Sequence, residues 1–269
     1  MICLLDTLDT PDVGFIKRIR RARRGYKGLH TGETVILGMK VLCVTIDRTP
    51  SIPLKTIQKR IAYAAERMRA AHTRKVLFSK NFPYRALVLR EGFDEMNESR
   101  LLELLAGKIA ASFSGRDKVA AFFAQRLTGE AERAFCDLCR DYKYVMSAVD
   151  SDDGRLYNAL GRRIGISVIG HPTEKQLSKT DVAVFFSPPE RKTVLPDKCI
   201  AIPVNNAALS GVVCRKAVSG MTVELADGKV PDIPDGFAAE PLIAAAIDAG
   251  SLHRGDILIR GLDIKDMYA

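Results

Sequence analysis

Short apolar runs alternate with helical spacing along this chain, most regularly between residues 118 and 189. Residues 118–124 (KVAAFFA), 144–149 (YVMSAV), 166–169 (ISVI) and 182–186 (VAVFF) have the length and side-chain types of buried strands. The first gap carries Ala131, Phe135, Leu138 and Tyr142 on one helical stripe, with Thr128 placed to cap it. The second carries Leu156, Ala159, Leu160 and Ile164 behind Ser151 or Asp152. The third opens with Thr173-Glu-Lys-Gln176, which has capping-box spacing. Alternation of this kind predicts parallel strands joined by crossover helices.

The flanking sequence extends the pattern. Residues 2–5 read as a strand. Thr10-Pro11 then starts a helix whose stripe is Phe15, Ile19, Ala22 and Tyr26, with Lys17, Arg18, Arg20, Arg21, Arg23 and Arg24 on the other faces. Residues 34–37 and 41–46 are two strands, or one strand bent at Gly38. Ser51 is placed to cap a helix with Leu54, Ile57, Ile61, Ala65 and Met68 on its apolar face, and His72 stands at its end. Further on come a strand at 76–78, an apolar piece at 86–89 and a helix over 100–113 that is apolar on more than one face. Residues 199–204 form a strand, where Pro203 marks an edge or an end. Residues 221–225 with Asp227-Gly228 suggest part of a hairpin, residues 238–249 a helix, and residues 256–259 a last strand.

This arrangement resembles the Rossmann-like α/β folds: a doubly wound, mainly parallel sheet with helices on both faces and some antiparallel strands toward the C-terminus. The linker at 114–117 divides the chain into a basic subdomain, 1–115, and a Rossmann-like subdomain, 116–269, which can also form one continuous domain.

Charge sharpens that division. The net charge is +9, but residues 1–116 hold 22 Lys and Arg against 11 Asp and Glu, a net +11, while residues 117–269 hold 19 against 21, a net −2. Such asymmetry marks either an anionic partner, nucleic acid included, or a face on which an acidic subunit or domain docks. The six cysteines are scattered through apolar runs; Cys136 and Cys139 alone have metal-ligand spacing, with no second pair and no nearby histidine. No run reaches the roughly 18 apolar residues of a membrane span, and no secretory leader follows Met1, so a cytoplasmic location is expected.

Ligands of open parallel sheets bind at the carboxyl ends of the strands. That rule selects Arg126, Thr128, Asp150, Asp152, His171, Ser187 and Asn205 as candidate ligand-binding residues. A dinucleotide site requires a glycine-rich turn after the first strand, whereas Gln125-Arg-Leu-Thr-Gly129 offers one glycine and a bulky Arg126. Asp150 stands where a ribose-binding acid would be. Asp150, Asp152, Asp153 and His171 carry donors that suit a divalent metal, but helix capping explains the acids more simply, and no metal site is assigned. Nucleophile-elbow and phosphate-loop motifs are missing, and no cofactor is identified. Three functions fit. The first is a Rossmann-like protein binding a small anionic ligand at the strand ends. The second is a nucleic-acid-binding module using Arg18, Arg20, Arg21, Arg23 and Arg24. The third is an enzyme whose site includes Asp150 and His171.

Overall fold

The computed structural model describes residues 1–9, 28–115, 117–127, 129–149, 157, 159, 168–228 and 231–268. The helices are α1 (Leu54–Ala70), α2 (Arg85–Arg90), α3 (Arg100–Ala111), α4 (Glu130–Asp141), α5 (Glu174–Leu177) and α6 (Ala239–Asp248). The chain forms two compact units: Met1–Glu98 with Val230–His253, and Ser99–Lys229 with Arg254–Ala269. The linker at 114–117 therefore lies inside the second unit. The reason is α3, which is buried there: Tyr142 donates from its hydroxyl to the Ala110 carbonyl at 2.7 Å.

The first unit contains a five-stranded sheet in the order β2-β3-β1-β4-β5, built from β1 (Ile2–Asp9), β2 (Leu29–Ile36), β3 (Met39–Arg48), β4 (Lys75–Phe78) and β5 (Asp94–Glu95). All pairs are parallel except β2 with β3. Successive residues of β1 point to opposite faces. Cys3 and Leu5 pack with Ile57, Ile61, Ala64, Ala65 and Met68 of α1, while Ile2 and Leu4 share a cluster with Leu242 and Ala246 of α6. Both faces are covered, so β1 begins as an unbroken apolar run.

Residues 34–46 are a hairpin, and not one bent strand. Ile36 pairs with Met39 across Leu37 and Gly38, whose φ angles are 51° and 76°, the two positive values of a type I′ turn. Leu37 is an unfavourable residue there, and its packing against the β1 face of Ile2 and Leu4 offsets the strain. Residues 86–89 lie in a helix, α2. The helix α1 starts at Leu54 behind Pro53 and has no side-chain cap, so Ser51 does not perform that role, and Leu54 is exposed. At its other end Thr73 donates its N–H to Met68 O and His72 to Arg69 O, both at 2.9 Å. With His72 at φ 51°, this is a Schellman ending, which makes His72 a helix terminator.

The second unit contains a seven-stranded sheet in the order β14-β13-β11-β9-β6-β7-β8, built from β6 (Val119–Ala124), β7 (Tyr144–Val149), β8 (Val168–Gly170), β9 (Val182–Phe185), β11 (Ile200–Pro203), β13 (Lys216–Leu225) and β14 (Ile257–Asp266). A short parallel pair, β10 (Thr193–Val194) and β12 (Val212–Val213), stands apart from it. Strands β6 to β13 of the large sheet are mutually parallel, and β14 runs antiparallel at the edge. Counted in chain order, the parallel strands lie as third, second, first, fourth, fifth and sixth. This is the doubly wound Rossmann order, and it reverses direction between β6 and β9. Pro203 ends an interior strand, where its missing N–H costs nothing. The partner of β13 is not the segment just after Asp227-Gly228 but β14, reached only after the chain has contributed 230–253 to the first unit.

Phe122 and Phe123 point to opposite faces of β6. Phe122 meets Phe135 of α4 at a ring separation of 5.3 Å, and Phe123 stacks on Phe185 of β9 at 4.4 Å. Burying each ring contributes about 1.5–3 kcal/mol. Four of the six cysteines, Cys3, Cys139, Cys199 and Cys214, are buried core residues; Cys139 and Cys199 are fully buried, and burial pushes each of these two thiols up to about 12. Among the described residues no helix is long and apolar enough to cross a membrane.

Candidate functional site

The reversal between β6 and β9 leaves a crevice at the carboxyl ends of these strands, because the loops on either side turn away from one another. A cavity of about 380 Å³ occupies it. Its lining comes from the ends of β6 (Phe123, Ala124) and β7 (Ala148, Val149), from the β8–α5 connection (residues 171–174) with Leu177, and from residues 187–194 after β9. The floor is apolar, since Phe123 is held by its stack on Phe185. The rim is polar and carries His171, Glu174, Ser187, Glu190, Arg191 and Lys192.

Local structure fixes this rim. The His171 N–H donates to Ser147 O at 2.8 Å, so the connection follows β7 one residue beyond β8. His171 has φ 47°, a left-handed conformation in which His is commoner than most residues, and its side chain is exposed. Thr173 then starts α5 with the expected capping box: Gln176 N–H donates to Thr173 Oγ1 at 3.4 Å, and Thr173 N–H donates to Gln176 Oε1 at 2.8 Å. On the other side Phe186 N–H donates to Phe123 O at 2.8 Å, which holds Ser187 beside the end of β6. Arg191 and Lys192 are exposed and form no ion pair with any described residue. Two cations and two carboxylates therefore share the rim, and neither sign dominates.

The structure brings together two of the residues selected from the sequence, His171 and Ser187. Arg126 is exposed in the β6–α4 connection and does not line the cavity. Asn205 is also absent from the lining: its side chain accepts from Ala208 N–H at 3.0 Å and caps the short 3-10 helix Asn206–Leu209. Thr128, Asp150 and Asp152 lie outside the described residues, as do Asp153, Ser151 and the five arginines Arg18, Arg20, Arg21, Arg23 and Arg24. The strand-end rule selects the loop 187–191 but singles out only Ser187 in it, whereas the cations on the cavity rim are Arg191 and, one residue beyond that loop, Lys192. The signal was present, since 187–191 follows a core strand, but charged loop residues are too common to stand out.

The place where dinucleotide folds hold a pyrophosphate is the first turn of α4. Gly129, the one glycine of the turn, precedes that helix with φ 55° and ψ −117°, which only glycine adopts freely. The first turn itself carries Glu130 and Glu132. Glu130 is mostly buried and ion-paired with Arg254, with Arg133 at 3.4 Å and with Arg100 at 3.9 Å. Carboxylates thus already occupy the positive end of this helix dipole, and a pyrophosphate there would have to compete with Glu130 for the arginines that hold it. Among the described residues no three His, Cys, Asp or Glu side chains converge as a metal site.

No protein-family model matches the chain, and no curated protein matches it. Among solved structures the chain is similar to the Δ1-pyrroline-2-carboxylate reductase of Thermococcus litoralis in complex with NADH and L-proline, at 13% identity and a TM-score of 0.27 over 41% of this chain and 38% of that one. It is similar to the L-tryptophan dehydrogenase of Nostoc punctiforme at 11% identity and a TM-score of 0.29, over 79% and 69% of the two chains. It is also similar to the aspartate transcarbamoylase of Trypanosoma cruzi at 12% identity and a TM-score of 0.30, over 78% and 73%. The match with the reductase spans well under two thirds of its length. At these scores the matches bear on neither ligand nor reaction, and the Rossmann-like fold rests on the strand order of the chain itself.

Proposed function

We propose that the second unit binds a small polar molecule bearing an anionic group, in the cavity at the carboxyl ends of β6, β7, β8 and β9. The observation that carries this reading is the coincidence of a cavity of about 380 Å³ with the reversal of strand order, where open α/β sheets hold their ligands. Arg191 and Lys192 receive the anionic group, Phe123 supplies an apolar floor, and His171 and Ser187 offer hydrogen bonds from two sides. The carboxylates of Glu174 and Glu190 limit how much negative charge the site tolerates. A small ligand therefore fits better than a dinucleotide, whose pyrophosphate would have to compete with Glu130 for its arginines.

Thermal unfolding in the presence of inorganic phosphate, ribose 5-phosphate and AMP tests this. A ligand at a hundredfold excess over its dissociation constant adds about 2.7 kcal/mol, which for a chain of this length raises the Tm by about 5 °C or more. At least one probe should raise the Tm of the natural chain, and the rise should vanish in the Arg191→Gln/Lys192→Gln double variant. A flat response to all three, or an equal rise in the double variant, would remove the proposal.

A further inference from the structure

The first unit has its own reversal of strand order. From β1 the chain goes to β3 on one side, and then to β4 and β5 on the other. The reversal falls between β1 and β4, and one strand beyond it, at the carboxyl ends of β4 and β5, lies a cavity of about 510 Å³, lined by residues of this unit alone, among them Phe78, Lys80, Arg85, Glu95, Asn97 and Glu98. We infer that this cavity is a second binding site, independent of the one in the second unit, and that it takes a small molecule through a single carboxylate group.

The cations of the site are held by a rigid loop. Ser79 is buried; its N–H donates to Leu5 O at 3.0 Å, and its hydroxyl donates to Asp6 Oδ1 at 2.5 Å, which ties the residue after β4 to the middle of β1. Asp6 Oδ1 also accepts from Thr7 N–H at 2.7 Å. Lys80 N–H donates to Gly236 O at 2.9 Å. Arg85, on the first turn of α2, is constrained on three sides. It donates to Glu95 Oε1 at 3.1 Å and to Ser79 O at 3.4 Å, and its guanidinium lies 5.7 Å from the centre of the Phe78 ring. A guanidinium fixed in this way is preorganised for a planar carboxylate, because little side-chain entropy remains to be lost on binding. The Lys80 ammonium has no ion-pair partner among the described residues and supplies the second positive charge.

Charge selects the class of ligand. Glu95 neutralises Arg85 in part, and Glu98 lies on the same wall. Arg85 is already paired with Glu95, so Lys80 is the cation left without an ion-pair partner among the described residues and can answer one added negative charge; in the second unit Arg191 and Lys192 are both without one, and the same number of carboxylates there leaves room for a phosphate. The site therefore favours a monovalent carboxylate over a phosphate.

Acetate titrated into the full chain at constant ionic strength, with amide signals followed by NMR, provides the test, and inorganic phosphate is the comparison. The amides of Lys80, Glu95 and Asn97 should shift saturably with acetate. Lys80→Met, which keeps the aliphatic stem and removes the charge, should weaken that binding at least tenfold. Arg191→Gln/Lys192→Gln should leave it unchanged, which separates this site from the one in the second unit. Shifts that do not saturate, equal affinity in Lys80→Met, or tighter binding of phosphate at the same amides would each overturn the inference.

Discussion

Asp181 stands at the start of β9 and ties three strands together. Its Oδ2 accepts from Val119 N–H of β6 at 2.9 Å, its N–H donates to Val119 O at 2.9 Å, and its carbonyl accepts from Ile200 N–H of β11 at 3.0 Å. Lys198 Nζ donates to the remaining carboxylate oxygen at 2.7 Å. Burial alone would raise this carboxyl, but the hydrogen bonds from Lys198 and Val119, with the charges of Lys198 and Lys118, outweigh it and hold Asp181 below the usual range. A carboxyl lowered in the folded state stabilises the fold fully above its unfolded value of about 3.9, and that contribution disappears as pH falls through the lowered folded value. Asp181→Asn keeps an acceptor for Val119 and loses the charge. It should cost about 1–3 kcal/mol at pH 7 and progressively less below about pH 4. Denaturant midpoints of the two proteins at pH 7 and in acid measure this; a gap that stays constant would show that the charge is not what matters. Asp181 lies at the amino ends of the strands, opposite the cavity, so ligand binding in the second unit should be unaffected. Asn205 and His171 show what residue type alone leaves open. Their positions after core strands were readable, but whether a side chain lines the crevice, as at His171, or turns back onto its own loop, as at Asn205, goes with a local backbone that residue type does not give: left-handed at His171, a 3-10 turn directly after Asn205.

At the scale of elements, Gly107 marks a close approach of α3 and α4. A Cβ there would lie 2.7 Å from both Cβ and Oδ2 of Asp137, and since a Cβ is not the free end of a flexible chain, the helix backbones would have to separate. Helix propensity favours alanine over glycine by about 1 kcal/mol, while overpacking of a buried contact costs about 1–3 kcal/mol. The steric term should win, so Gly107→Ala should lower stability by about 1 kcal/mol or more in urea unfolding. A more stable variant would mean that the helices are not so close. Asp137 is held on this interface at some cost: burial pushes its carboxyl up, and Arg140 and Arg254 only partly offset that. The elements that were legible in the sequence are those specified locally. The alternation of β6 to β9 and the capping box at Thr173 belong to this group, as does the stripe of α1. The elements that were misread depend on something outside their own segment. Residues 86–89 (ALVL) fit both strand and helix over so short a run. The turn at Leu37-Gly38 has the glycine of a type I′ turn at its second position but lacks the Asn, Asp or Gly at the first that announces a hairpin. The pairing of β13 with β14 spans a long excursion into the other unit, and no local pattern encodes it.

For the whole molecule, the charge distribution changes once it follows the folded units. The basic excess assigned to residues 1–116 includes Arg100, Lys108 and Arg116, which belong to the second unit, and omits residues 230–253, which belong to the first and carry four acids with no Lys or Arg. Counted by unit, the first has 19 Lys and Arg against 14 Asp and Glu, a net +5, and the second has 22 against 18, a net +4. The asymmetry between halves is thus a property of the linear chain, and of its two meanings the docking of an acidic segment accounts for much of it. What remains specific to a nucleic-acid partner is the run from Lys17 to Lys27, with seven cations and no acid, which lies outside the described residues. We propose a phosphate contact for that run on charge alone, and it has a quantitative test. Each phosphate neutralised adds about 0.9 to the slope of log affinity against log salt. If the run lies on duplex DNA, replacing Arg18, Arg20, Arg21, Arg23 and Arg24 by Gln should lower that slope by about 4.5, while Arg191→Gln/Lys192→Gln should leave it nearly unchanged. An evenly weak, salt-sensitive retention that both variants reduce in proportion to charge would instead mark the general attraction of a +9 chain for any polyanion, and the run would have no partner of its own to explain.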